Sequence, residues 1–135
     1  MVEQFYGVNI AVKDLDAGVK KYGAILGVPA IPFQPADFAF PGLKGVSFHL
    51  GDVSINIISS DNPETPVYKF VENRGEGVFL ISLRVDNLEK AMQDLTANGV
   101  KLVSYKPLPY SSGKVNFGHP KSLHGVQIEF IQPDK

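Results

Sequence analysis

Apolar residues fall at every second position over Val8–Val12 (VNIAV), which predicts a half-buried strand. The next stretch changes period. Leu15, Val19, Tyr22 and Leu26 recur at i, i+4, i+7 and i+11, the stripe of an amphipathic helix. Asp14 stands as its N-cap, and Gly27 sits where a helix end favours a left-handed residue. The same succession returns 73 positions later. Residues 81–85 (ISLRV) alternate again, Leu88, Met92 and Leu95 form a second helical stripe, Gly99 closes it and Val100 starts the next strand. Val12/Val85 and Leu15/Leu88 are identical pairs at that offset, while Gly27/Gly99 and Val28/Val100 pair at 72. The closing strands obey the same shift, Val53–Ile58 mapping onto Val126–Ile131. Agreement at both ends of the module points to duplication of a strand–helix–strand–strand–strand unit.

The expected organisation is one domain over 1–135, with module one at 4–59, a connecting helix at 62–75 and module two at 76–132. In the connector, Pro63 suits a first helical turn, Val67, Phe70 and Val71 give a short apolar face, and Gly75 stops it. Two stretches read as irregular: 29–44, rich in Pro and Phe, and 104–114, with Pro107, Pro109 and Gly113.

Composition narrows the function classes. The 135 residues are 44% hydrophobic and 20% charged, the balance of an ordinary globular domain with one core. Thirteen basic against fourteen acidic residues give a net charge of −1, and the only arginines are Arg74 and Arg84, so a nucleic-acid or anionic-membrane partner is not expected. No cysteine means no disulfide, thiolate metal site or thiol nucleophile. No apolar run approaches the ~18 residues of a membrane span, and the N-terminus lacks a signal-peptide pattern. A cytoplasmic location is expected.

Strand parity sorts the candidate site residues. Val8, Ile10 and Val12, with Ile81, Leu83 and Val85, should pack on the helices; Gly7, Asn9 and Ala11, with Leu80, Ser82 and Arg84, should face the other way. On the closing strands Ile55, Ile57, Ile128 and Phe130 go to the helix side, and Ser54, Asn56, Ile58, Gln127, Glu129 and Ile131 face away. Such a polar face is either solvated or floors a cleft.

The segments NIAVKDLDAGVKKYGAILG (9–27), PVYKFVENRGEGV (66–78), VDNLEKAMQDLTANGV (85–100) and HPKSLHGVQIEFIQP (119–133) resemble the vicinal oxygen chelate superfamily of glyoxalases, bleomycin-resistance proteins and extradiol dioxygenases, and within it the methylmalonyl-CoA epimerase branch. The resemblance covers nearly the whole chain. It implies an α+β fold of paired βαβββ modules forming an open barrel-like cleft, and superfamily members often assemble as homodimers. It also implies a divalent metal held from the first and last strands of each module. The matching positions are Gly7, Asn56, Leu80 and Glu129, and of these only Glu129 keeps a family ligand. A lone carboxylate and an amide make a poor site for Zn²⁺, Co²⁺ or Mn²⁺, so no metal and no other cofactor is expected. His49, His119 and His124 do not restore the set, and His119 reads as part of a turn.

Epimerases of this branch move a proton α to a thioester between two carboxylates. Glu129 matches one of them. The second belongs to the segment here reading PADFAFPGLKGVSF, where Asp37 is the only acid and is out of register. Three readings follow. The first is a metal-independent epimerase-like enzyme, of isomerase or lyase type, acting on a small acidic or acyl-thioester ligand. Glu129 is then the general base, with Asn9, Asn56, Leu80, Ser82, Arg84 and Gln127 around the ligand. The second is a binding or sequestration protein, with Phe38, Phe40 and Tyr110 among the aromatics that stack on a planar ligand. The third is a pseudoenzyme kept for a protein partner.

Overall fold

The computed structural model describes residues 1–134. Two compact units emerge: Gly7–Phe79, and Leu80 onward together with Met1–Tyr6. In chain order the elements are β1 (Val2–Ala11), α1 (Leu15–Leu26), β2 (Ala30–Pro32), β3 (Lys44–Leu50), β4 (Val53–Ser59), α2 (Pro66–Arg74), β5 (Gly77–Val85), α3 (Leu88–Ala97), β6 (Leu108–Tyr110), β7 (Gly113–Gly118) and β8 (Ile128–Pro133). The order is therefore the expected repeated strand–helix–strand–strand–strand with α2 between the copies.

In the Gly7–Phe79 unit the strand order is β2-β3-β4-β1, with β1 parallel to β4 and the other neighbours antiparallel. Helix α1 starts where Asp14 accepts a hydrogen bond from the Ala17 amide and ends at Gly27 with φ 68°. Leu15, Val19, Tyr22 and Leu26 pack on Val12, Val46, Phe48 and Ile57, with Val12 and Ile57 on the helix side as parity predicts. The opposite face is not wholly polar. Ala11 and Ile58, read as facing away from the helix, are buried under Val67 and Val71 of α2.

The other unit runs β5-β8-β7-β6, with Val2–Tyr6 of β1 beside β5. β5 and β8 are parallel, and β7 is antiparallel to both β8 and β6. Leu88, Ala91, Met92 and Leu95 of α3 close a core with Leu83, Val85, Ile128 and Phe130. Asn87 caps the helix by accepting from the Lys90 amide.

Four expectations need correction. α2 begins at Pro66, not near Pro63, because Asn62 turns the chain by accepting from the Glu64 amide and Thr65 then caps the helix through the Tyr68 amide. The stretch from Val100 forms no strand, only an isolated bridge between Leu102 and Gly118. Its backbone is held by side chains instead: the Lys101 amide donates to Ser122 Oγ, and Asn116 both accepts from the Ser104 amide and donates to its carbonyl. The two irregular stretches each contain a three-residue strand, β2 and β6, at a sheet edge where Pro32 and Pro109 are tolerated. Finally, β8 starts two residues late, leaving Val126 exposed and Gln127 just outside the strand, its carbonyl accepting from the Ile81 amide.

Candidate functional site

The two modules place a polar pair at the same point of their parallel ladders. In the unit from Leu80 onward, Ser82 on β5 stands opposite Glu129 on β8, and Ser82 Oγ donates to Glu129 Oε1 at 2.6 Å. In the Gly7–Phe79 unit, Asn9 on β1 stands opposite Asn56 on β4, and Asn56 Nδ2 donates to Asn9 Oδ1 at 2.8 Å. Both partnerships span 47 residues, as duplication requires. The chemistry differs: one pair carries an acid, the other is neutral.

Ser82 is 3% exposed and Glu129 is half-buried. Leu80, on the same face of β5, and Ile131, on the same face of β8, are buried too. Although Glu129 keeps some accessible surface, the protein crowded around its carboxyl strips away water and pushes its pKa up, and the Ser82 hydrogen bond opposes that only in part. Arg84 does not neutralise it: the guanidinium Nε lies 3.4 Å from Glu3 Oε1. That shift moves the carboxyl toward the range in which general bases work. Gln127 is half-buried beside the start of β8.

In the neutral row, Ser47 on β3 stands opposite Asn56, so Ser47, Asn56 and Asn9 form a band across three strands. Asn56 Oδ1 is buried with no partner among the described residues. Of the aromatic candidates, Phe38 is partly buried against the Ala11–Ile58–Val67–Val71 cluster and stands edge-on to Phe33 at 5.1 Å. Phe40 is exposed, and Tyr110 is half-buried on β6. Asp37 caps its own turn by accepting from the Gln34 amide.

A divalent metal does not fit the donors at the four positions that the resemblance assigns to it. Gly7 is buried, and a Cβ built on it would overlap the Ser54 carbonyl oxygen, so no imidazole can stand there without displacing β4. Leu80 offers only carbon. Asn56 and Glu129 remain, each already bonded within its own unit. Among the described residues no group of three or more His, Cys, Asp or Glu could hold a metal ion. His119 Nδ1 accepts from the Lys121 amide and caps the Pro120–Ser122 turn, the structural role its place in the sequence implied. The overlap at Gly7 and the unpartnered Asn56 oxygen escaped sequence reading, since both depend on how β1 and β4 pair.

Duplicated βαβββ units with a polar pair on each parallel ladder define a class, and residues 7–118 match the glyoxalase/bleomycin resistance protein/dioxygenase superfamily. The chain belongs to that superfamily and has its mixed α+β vicinal oxygen chelate fold. Within the class, it is 30% identical over 127 residues to human mitochondrial methylmalonyl-CoA epimerase, covering 93% of this chain and 71% of that protein. The crystal structure of methylmalonyl-CoA epimerase from Mycobacterium tuberculosis superposes with a TM-score of 0.87 at 27% identity, covering 98% of this chain and 89% of that one. A variant of the Streptomyces coelicolor methylmalonyl-CoA epimerase, in complex with 2-nitronate-propionyl-CoA, shares the fold at a TM-score of 0.88 and 22% identity, with both chains covered in full. No helix among the described residues is long and apolar enough to cross a membrane.

Proposed function

We propose that this chain is a metal-independent acid–base enzyme of the epimerase branch, removing the proton α to the carbonyl of a small acyl-CoA thioester with Glu129 as general base. The observation that carries the reading is the Ser82–Glu129 pair. A buried hydroxyl fixes one carboxylate oxygen at 2.6 Å, while desolvation raises the basicity of the group. Glu129 Oε2 is the oxygen left for a substrate hydrogen. The donor set at the metal positions supports a reaction that needs no divalent ion, for the reasons of space and chemistry at Gly7 and Leu80. The substrate class rests on the epimerase relatives and on the thioester analogue in the Streptomyces structure. The reading includes a homodimer in the cytoplasm.

The test is deuterium uptake at the α-carbon of methylmalonyl-CoA in D₂O, followed by NMR in the presence of EDTA. Wild type exchanges the proton. Glu129→Gln, which keeps the shape and loses the base, exchanges at least ~100-fold more slowly while retaining affinity for 2-nitronate-propionyl-CoA. Tight binding of that analogue with no exchange in wild type would leave a sequestration protein instead. Absence of both would leave a pseudoenzyme.

A further inference from the structure

Removing a proton α to a carbonyl places negative charge on the carbonyl oxygen, and a site without a metal needs another donor to meet it. This demand rests on the reading above. The Ser82 hydroxyl is engaged with Glu129, and Arg84 is turned toward Glu3. Tyr110 is different.

Strand register carries Tyr110 to the face of Glu129. Phe117 stands opposite Glu129, Val115 opposite Ile131 and Gly113 opposite Pro133; one ladder further, Leu108 faces Val115 and Tyr110 faces Gly113. Directly opposed residues share a face, as do alternate residues along a strand. Ser82, Glu129 and Tyr110 therefore lie on one face of β5, β8, β7 and β6. The residue opposite Tyr110 is a glycine that can carry no larger side chain, because a Cβ there would overlap the Gln132 carbonyl oxygen. At the position directly opposite Tyr110, β7 therefore presents no side chain. Leu80, Val115 and Phe117 make the same face apolar around the two polar ends. The phenol also keeps its proton: burial first, then the neighbouring Tyr6, Glu129 and Asp134, raise its pKa far above the ordinary tyrosine value, with Arg84 opposing.

We infer that the Tyr110 hydroxyl is a catalytic hydrogen-bond donor to the enolate oxygen of the ligand. Glu129 takes the α-hydrogen as a proton, the C–H electron pair becomes the enolate C=C bond, and the carbonyl π pair moves onto oxygen. Tyr110 retains its proton and donates a hydrogen bond to that oxygen. Transfer of a proton from the Glu129 carboxyl back to the α-carbon reverses each shift and restores the carboxylate.

The test is Tyr110→Phe, which removes the donor and keeps the ring, with thermal melting to verify the fold. Its α-proton exchange should fall about 100-fold or more, the usual effect of deleting one oxyanion donor. Affinity for 2-nitronate-propionyl-CoA, whose charge mimics the enolate, should fall by a similar factor, while affinity for propionyl-CoA changes less than about threefold. Glu129→Gln should show the opposite split, losing exchange and keeping the nitronate. Exchange in Tyr110→Phe within threefold of wild type overturns the inference and leaves the base assignment standing. Equal loss of affinity for both ligands also overturns it, making Tyr110 a simple ground-state contact. Wild type that neither exchanges nor binds removes the parent reading, and this one with it.

Discussion

Replacing Gly7 by Ala adds a single methyl group at a point where the backbone leaves no room. The Cβ would overlap the Ser54 carbonyl oxygen and approach Ser54 C at 3.1 Å and N at 3.2 Å. All three are backbone atoms of the strand paired with β1 through Gly7↔Ser54 to Ala11↔Ile58. A clash with a side-chain tip can be relieved by a rotamer change; this one can be relieved only by opening the ladder. Overpacking of this kind costs about 1–3 kcal/mol, and the rigidity of the obstacle puts Gly7→Ala near the upper end. For 135 residues the unfolding entropy is roughly 0.28 kcal/mol/K, so ~3 kcal/mol lowers Tm by about 10 °C. Urea unfolding followed by far-UV circular dichroism should show a lower midpoint at unchanged m. Gly77→Ala is the control. Nothing lies within 4 Å of a Cβ built there and its φ is not in the left-handed region, so it should change stability by less than about 1 kcal/mol in either direction. A Gly7→Ala protein within about 0.5 kcal/mol of wild type would refute the steric argument. It would also reopen the first metal position to an imidazole.

Glu129→Gln should alter the pH dependence of stability. Burial raises the folded pKa of this carboxyl, so ionising it penalises the folded state, and wild-type stability falls as pH rises through that pKa. The glutamine variant escapes this loss, so its Tm relative to wild type should increase from pH 4 to pH 8; a constant difference would contradict the assignment. Ser82→Ala strips the partner from Glu129 Oε1 and should cost about 1–3 kcal/mol by chemical denaturation. Asn116, fully buried, bonds to the Ser104 amide and carbonyl and to the Phe117 amide. Its replacement by Ala strips these side-chain bonds from the Ser104 amide and carbonyl and should cost about 3 kcal/mol or more, with faster amide exchange at Ser104.

Much of the fold was legible because the signals were local. Asp14, Gly27 and the helical stripes each act within a turn or two, and the 73-residue offset let one module vouch for the other. What escaped was tertiary. Asn116 replaces a strand ladder by holding Ser104 with its side chain, a bond across 12 residues that no periodicity announces. α2 starts at Pro66 because Asn62 turns the chain first. At the candidate site, parity turned Ser82, Glu129, Asn9 and Asn56 away from the helices, and strand register then brings them into two bonded pairs. Parity could not tell that Phe38 packs against the core, that Arg84 turns to Glu3, or that Tyr110 falls on the face of Glu129. The last depends on a short edge strand within a stretch that read as irregular.

The most direct measurement is α-proton exchange of methylmalonyl-CoA by protein stripped with chelator, before and after addition of Mn²⁺ or Co²⁺. The stripped protein should exchange the proton at a rate that the added ion leaves within about twofold. A stripped protein that is silent and recovers with a stoichiometric ion would contradict this, since the reaction would then depend on a centre that Gly7 and Leu80 leave no donors to build.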